Sequence, residues 1–514
     1  MPPKSEPDGP SPTSTRGLAL PLALALVLAG LALVSRQRAS VFWTFLGTAG
    51  VLLAWTAALY ASARRKHRTL VLQVLVRRQH WVQACAQGSV LLYWGWHSPV
   101  VYPFLPFVAA QLVFAYAFDS LLNWSRRDTY QLGFGPFPII FSINLFLWFK
   151  LDWFYWQFAM VATGFLAKEL IKWTRDGKRV HIFNPSSFPL GLFSLVLILT
   201  GTSNATFGTL IANTQADVPY LYLVIFLIAL PGQLLFGVAR MTLVAVVSLY
   251  AISMVYLAAT GTYLFYDSNV PVQVFLGMHL LFTDPSTSPR SELGRTIFGV
   301  LYAALVAVFY VMLQWLGLPT FYDKLLPVPI LNLLVRRIDA LAAWKPLAVV
   351  NPARIARTWS PARRNLLFTS LWAIVFVALS ATQGVGDKHP GQYLPFWTKA
   401  CQTGNDRACT YASALTLIYC NDGSGWACNE AGIAQSASSA TAAFRRACDN
   451  GFAAGCENLN RATAATQDWA RGDPRVEDLP IILRGTKPRL QERDPARLYA
   501  LACEQGWPRT CDRS

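Results

Sequence analysis

Eight of the nine cysteines stand in four pairs of one pattern, C-x-x-G-x-x-x-x-C. The pairs are Cys401/Cys409, Cys420/Cys428, Cys448/Cys456 and Cys503/Cys511, with Gly404, Gly423, Gly451 and Gly506 in the fixed slot. Paired thiols serve two chemistries, zinc coordination and oxidation to disulfides. Zinc knuckles use C-x(2–4)-C spacing with partner pairs, which no pair here fits, so the expectation is four self-closed disulfides and no metal. The spacing has a geometric reading. The first cysteine ends a helix, the glycine supplies the left-handed residue that stops it, and the second cysteine opens the next helix. A bridge at that corner staples an αα-hairpin, and a loop this short contributes roughly 2–3 kcal/mol. Asp494-Pro495 adds an N-cap and a first-turn proline ahead of Ala496–Cys503.

Other residues able to do chemistry lie at the borders of apolar runs. In RDGKRVHIFNPSSFPLG (Arg175–Gly191) a basic loop leads into Asn184-Pro185, a cap followed by a first-turn proline. In HLLFTDPSTSPRSELGRTIFG (His279–Gly299), Asp284-Pro285, Thr287 and Ser288-Pro289 precede a long apolar stretch. His97 and His279 are of a type that ligates haem iron, but neither has a second histidine at a paired depth, so packing at the membrane border is expected. Trp94, Trp96, Trp148, Trp153 and Trp156 suggest interfacial belts. Lys168 and Glu169 fall near a span end, where lysine snorkels and where an ion path would also put charge. There is no Walker loop, Rossmann fingerprint or hydrolase triad.

The elements that hold these residues are dictated by composition. Charged residues are 14% of 514, hydrophobic ones 54%, and mean hydropathy is +0.35. Soluble domains carry about 25% charge, so long stretches of this chain have nothing to offer water. Apolar runs at 17–34, 41–63, 82–97, 100–122, 132–149, 153–171, 188–202, 219–239, 241–263, 296–317 and 366–383 mostly approach the ~20 residues that cross hydrocarbon. Val272–Phe282 is short, and Leu325–Val335 contains Pro327 and Pro329, so both read as re-entrant candidates. The expected fold class is all-α: a transmembrane bundle of 11–13 spans over 17–383, a linker at 384–395, and a stapled αα-hairpin repeat domain at 396–514. Residues 1–16 read as a disordered cytoplasmic tail.

Basic residues cluster in alternate loops, from Arg64–Arg78 through Arg126-Arg127, Lys172–Arg179 and Arg240 to Arg336–Arg364, which makes those loops cytoplasmic. The residues beyond Gln383 then lie outside, as disulfides require. That parity holds if both doubtful segments cross or neither does. The net charge of +17 is met by anionic lipid in the bilayer. No aromatic-basic motif accompanies it, so nucleic acid is not expected as a partner.

Two resemblances sharpen this. AFRRACDNGFAAGCENL (Ala443–Leu459), FWTKACQTGNDRACTY and LYALACEQGWPRTC resemble cysteine-rich Sel-type repeats, relatives of the tetratricopeptide repeat, which implies a protein partner on their concave face. Phe183-Asn184-Pro185, with TDPSTSP and the downstream GRTIFG, resembles the NqrB/RnfD superfamily over about 130–320. Its flavour is that of the divergent branch found near enediyne-type biosynthetic proteins. That resemblance implies a bacterial inner-membrane component of an ion-translocating electron-transfer complex, with other subunits as partners and flavin mononucleotide as cofactor. In the family the flavin is attached by a phosphoester to the last Thr of S-(G/T/A)-A-T. Here Ser203-Asn204-Ala205-Thr206 occupies the corresponding place, with Asn204 departing from the pattern, and Thr206 is the hydroxyl expected to carry it. Asn184, Pro185, Asp284 and Thr287 would shape the cofactor cavity. The alternative from another class is a non-catalytic scaffold or transporter-like protein that recruits a partner through its outer repeats.

Overall fold

The computed structural model describes residues 16–175, 177–348, 359–435, 437–462, 468–507 and 511; the tail expected at 1–16 lies outside them except for Arg16. Most of the chain is helical, in two compact units. The first comprises Met1–Leu249 and Val272–Val377, the second Tyr250–Pro271 and Ala378–Ser514.

In the first unit, apolar composition is expressed as helices of very different length. Ala39–Arg65, Pro99–Arg126, Ala239–Thr260, Glu292–Trp315 and Pro361–Ala381 are each long and apolar enough to cross a membrane. Ala19–Val34, Pro136–Phe146 and Ser187–Thr200 are shorter, and Gly208–Ala216 meets Leu221–Phe236 at 98°. The uninterrupted span expected at 132–149 is instead a half-length helix. Beyond Phe146 the backbone turns extended, with Lys150 N–H donating to Ala205 O at 2.9 Å and Phe207 N–H to Trp148 O at 2.7 Å. Two small ribbons qualify the all-α expectation. Val71–Val74 pairs in parallel with Thr129–Leu132, and Lys172–Arg175 forms an antiparallel hairpin with Lys178–His181.

One end of this unit is tied together by the basic loops. Arg68 pairs with Asp128 at 2.7 Å, Arg127 with Glu169, Arg175 with Asp339 at 2.7 Å, and Arg240 with Glu292 at 3.3 Å. Arg295 donates to Gly237 O, and Arg175 to Ser288 O. The 281–295 loop therefore lies at the same end as Lys172–Arg179, a point that parity alone leaves open. At the opposite end Tyr322 donates to Ser203 Oγ at 2.9 Å. The stretch from Tyr322 to Asp339 thus runs from end to end. Within the same unit the short helix Val272–Leu280 packs against the start of Ala239–Thr260, where Thr242 donates to Met278 O.

The second unit is a set of short helices stapled at their corners, and each cysteine pair closes on itself. Cys401–Cys409, Cys420–Cys428 and Cys448–Cys456 have Cα–Cα separations of 4.5 Å, and Cys503–Cys511 has 4.8 Å. Helices Leu394–Gln402, Asp406–Asn421, Ala437–Asp449 and Pro495–Glu504 each end one residue past the first cysteine of a pair, and the glycines that follow have φ of +76° to +101°. The second cysteine recurs in register as well. Cys409, Cys428 and Cys456 lie in the first turn of Asp406–Asn421, Gly425–Ile433 and Ala453–Ala462. The helix expected to open at Cys511 lies outside the described residues, Cys511 itself excepted. Asn405 and Ser424 cap the helices after the first two corners by accepting from Ala408 N–H and Ala427 N–H.

The expected linker at 384–395 is not a tether. His389 and Gln392 are buried, and Trp397 Nε1 donates to Gly391 O at 2.6 Å. The unit also takes in the 250–271 hairpin, where Arg407 reaches Tyr256 OH and Leu264 O, both at 2.7 Å, and lies over the Tyr266 ring. Buried donors and a guanidinium need these acceptors, so the helices are organised around that hairpin.

Candidate functional site

The site starts from two asparagines. Asn184 Oδ1 accepts from Ser186 N–H (2.9 Å), Ser186 Oγ (2.8 Å) and Ser187 N–H (3.2 Å), capping helix Ser187–Thr200. Its Nδ2 donates to Leu281 O at 2.9 Å. Asn332, on helix Pro327–Ala342, accepts from Asn184 N–H at 3.0 Å and donates to Thr287 O at 3.1 Å. The Asn-Pro and Asp-Pro segments, about a hundred residues apart in sequence, are thereby locked together by one amide. Asp284 closes its own turn, accepting from Ser286 N–H (3.1 Å) and Thr287 Oγ1 (3.0 Å). Helix Tyr155–Leu170 packs so closely that a Cβ on Gly164 would meet Pro185 O at 2.3 Å.

Together these elements line a half-open polar cavity of about 80 Å³ at the basic end. Gln79, His80, Gln83 and Gln87 line it from one face of helix Arg78–His97, and Lys168, His181, Asn184 and Asp284 from the other side. Gln87 Nε2 donates to Ser142 Oγ at 2.8 Å, while its Oε1 is buried with no partner. His181 Nε2 stands 3.9 Å from Asp284 Oδ2. Burial alone would raise the Asp284 carboxyl, but His181 and the bonds from Ser286 and Thr287 outweigh it and hold the group below its ordinary value. His80 is lowered to about 4, by burial first and then by Lys168 and Arg77, so its ring is neutral near pH 7. Lys168 has no acidic partner among the described residues. The neighbouring Glu169 is taken by Arg126, Arg127 and Lys172. The cavity thus offers one ammonium, one carboxylate, two imidazoles and several amides within a mostly apolar bundle, an arrangement able to bind and relay a proton or hold a small polar group.

Of the residues singled out by sequence, Asn184, Pro185 and Asp284 line this cavity and Thr287 braces it. Ser203 and Thr206 are elsewhere, separated from it by helix Ser187–Thr200, about 20 Å long at 1.5 Å per residue. Thr206 is 7% exposed and bridged to Phe149, and its hydroxyl donates to Ser203 O at 2.9 Å. The accessible loop that attachment of a phosphoester needs is here a closed turn. Trp94 and Trp148 are not a belt but a buried stack at 5.1 Å, whereas Trp96, Trp153 and Trp156 are exposed. His279 is buried, its Nδ1 2.7 Å from Phe275 O. Sequence reading passes over His80, Gln83, Gln87, His181 and Asn332. The i, i+4, i+8 polar stripe of Gln79, Gln83 and Gln87 on an otherwise apolar helix is the available signal.

The fold and this site define a helical membrane protein with a disulfide-bonded C-terminal region. No family model matches the chain, and no curated protein or solved structure shows a significant match to it.

Proposed function

We propose that this protein is an integral membrane component of NqrB/RnfD type that couples ion movement to electron transfer. The observation that carries the reading is the meeting of the Asn184-Pro185 and Asp284-Pro285 segments at one cavity with four titratable groups. Ionisable residues inside a membrane bundle are costly and mark ion or substrate pathways. In this reading Asp284 and Lys168 hold the ion or proton, His80 and His181 pass protons to the basic face, and the broken helices supply backbone dipoles. The basic end faces the cytoplasm, eleven to thirteen segments run between the two faces, and the C-terminal unit is an extracytoplasmic Sel-type repeat domain that receives a protein partner.

Flavin mononucleotide is the cofactor the reading calls for, with Thr206 as its point of attachment. Because the Thr206 hydroxyl is committed to Ser203 O, attachment would have to precede closure of that turn. Purified protein co-expressed with a flavin-attaching enzyme is expected to keep its flavin fluorescence on a denaturing gel and to lose it in Thr206→Ala. With flavin present, melting should rise on adding sodium, as linkage requires, and Asp284→Asn should blunt that response. Colourless protein with no ion-dependent shift would sink the proposal and favour a scaffold instead.

A further inference from the structure

A second feature at the basic end lies outside the cavity. The Glu292 carboxylate, in the first turn of helix Glu292–Trp315, faces three guanidinium groups from three elements: Arg240 at 3.3 Å, Arg364 at 3.5 Å and Arg295 at 3.8 Å. Among the described residues, one carboxylate thus serves three positive charges. The nearby Arg175 is already neutralised by Asp339 at 2.7 Å. Donor capacity is in still greater excess: three guanidiniums present about fifteen N–H groups, a carboxylate roughly four lone-pair positions. Arg295 spends two donors on Pro289 O and Gly237 O, and Arg240 is fixed against the Phe368 ring at 4.5 Å. Arg364 differs. Its buried Nε is the atom that stands 3.5 Å from Glu292 Oε1 without making a hydrogen bond, and this contact is its only ion pair among the described residues.

What lies beside the cluster says what completes it. Arg364 opens helix Pro361–Ala381, the least covered of the five long apolar helices, with 17% of its apolar window buried. Leu366, Leu367 and Leu371 on that helix are exposed, as are Leu234 and Leu235 just ahead of Gly237. Fixed guanidiniums at the end of an apolar surface match an anionic headgroup above and acyl chains below. Arginine forks suit phosphate oxygens bidentately.

We propose that Arg240, Arg295 and Arg364 form a binding site for the phosphate of an anionic phospholipid, whose acyl chains lie along Pro361–Ala381. The site is separate from the cavity and does not depend on the redox reading.

The test uses full-length protein in detergent, titrated with phosphatidylglycerol or phosphatidylcholine, with retained lipid counted by native mass spectrometry. Phosphatidylglycerol should be retained in preference to phosphatidylcholine. Arg364→Gln should weaken that retention about fivefold, the worth of one arginine near a headgroup layer. Arg364→Lys, which keeps the charge and loses the fork, should fall between, and serves if the glutamine variant folds poorly. Arg64→Gln, at the exposed end of another helix, should change nothing. Equal retention of the two lipids, or unchanged phosphatidylglycerol retention in both Arg364 variants, would overturn the site. Displacement of the lipid by millimolar inorganic phosphate would also overturn it, assigning the cluster to a free anion.

Discussion

At the scale of single residues, buried polar groups decide most of what is specific here. Asn184 and Asn332 use both ends of their amides, and the bonds from Asn184 N–H to Asn332, Asn184 Nδ2 to Leu281 O and Asn332 Nδ2 to Thr287 O join segments that no local rule brings together. His389, in the C-terminal unit, uses only one of its two ring nitrogens, and its Nε2 is buried without a partner. Its Nδ1 accepts from Gly391 N–H at 3.1 Å, and burial lowers its pKa from 6.5 to about 4. The folded state therefore disfavours the proton that the unfolded chain takes up readily. The contribution of a neutral His389 is complete above pH 6.5, is lost as pH falls toward about 4, and levels off below. The loss amounts to roughly 3 kcal/mol at most. Hydrogen-exchange protection over residues 389–402 of the full-length protein, relative to the intrinsic rate at each pH, should fall in that window. His389→Asn, which keeps an acceptor for Gly391 and cannot titrate, should flatten the response; an unchanged slope would show that another group carries it.

Elements follow their own logic of starts and stops. In the C-terminal unit a helix ends, a glycine with positive φ turns the chain, and the next helix begins with a cysteine facing back. Cys448 and Cys456 illustrate it, with Gly451 at φ +76° between helices Ala437–Asp449 and Ala453–Ala462. Replacing both cysteines by serine should cost about 2–3 kcal/mol, mostly by releasing the unfolded chain. Limited proteolysis should then cut near 449–453 first, and undiminished resistance there would show that packing alone holds the corner. In the membrane unit the informative elements are the incomplete ones. Pro136–Phe146 and Val272–Leu280 are too short to cross alone, and the chain beyond Phe146 continues as extended backbone whose polar groups find partners inside the bundle, as membranes demand.

On the scale of the whole molecule, the basic loops gathered at one end of the first unit are the signal for orientation. The proposed topology, with both or neither of the segments at 272–282 and 325–335 crossing, puts the chain beyond Gln383 on the side away from those loops. In a Cys85→Ser background, a membrane-impermeant maleimide applied to intact, reduced spheroplasts should label Cys401, Cys409, Cys420, Cys428, Cys448, Cys456, Cys503 and Cys511. Labelling that appears only after lysis would reverse the orientation and remove the oxidising compartment on which the disulfides depend.

Much of this is legible in the residues themselves. Apolar length alone specifies helices, because a backbone in hydrocarbon must satisfy its own hydrogen bonds. The C-x-x-G-x(4)-C spacing specifies a helix corner and its bridge, because both are local geometry: Cys409 and Cys428 each fall where the turn after Gly404 or Gly423 returns them to the helix they left. Loop charge specifies a basic end. What sequence does not supply is anything resting on long-range pairing. That Asn332 joins Asn184 to Thr287, that a glutamine stripe faces Lys168 and Asp284, and that Thr206 closes into a turn against Phe149 all depend on which helix faces put their few polar side chains together. The 384–395 stretch reads as a linker for the same reason. Its Gly, Pro and His composition suggests flexibility, yet burying His389 and Gln392 against the 250–271 hairpin makes it part of the core. Hydrophobic periodicity carries no information about a partner surface distant in sequence; only tertiary packing selects it.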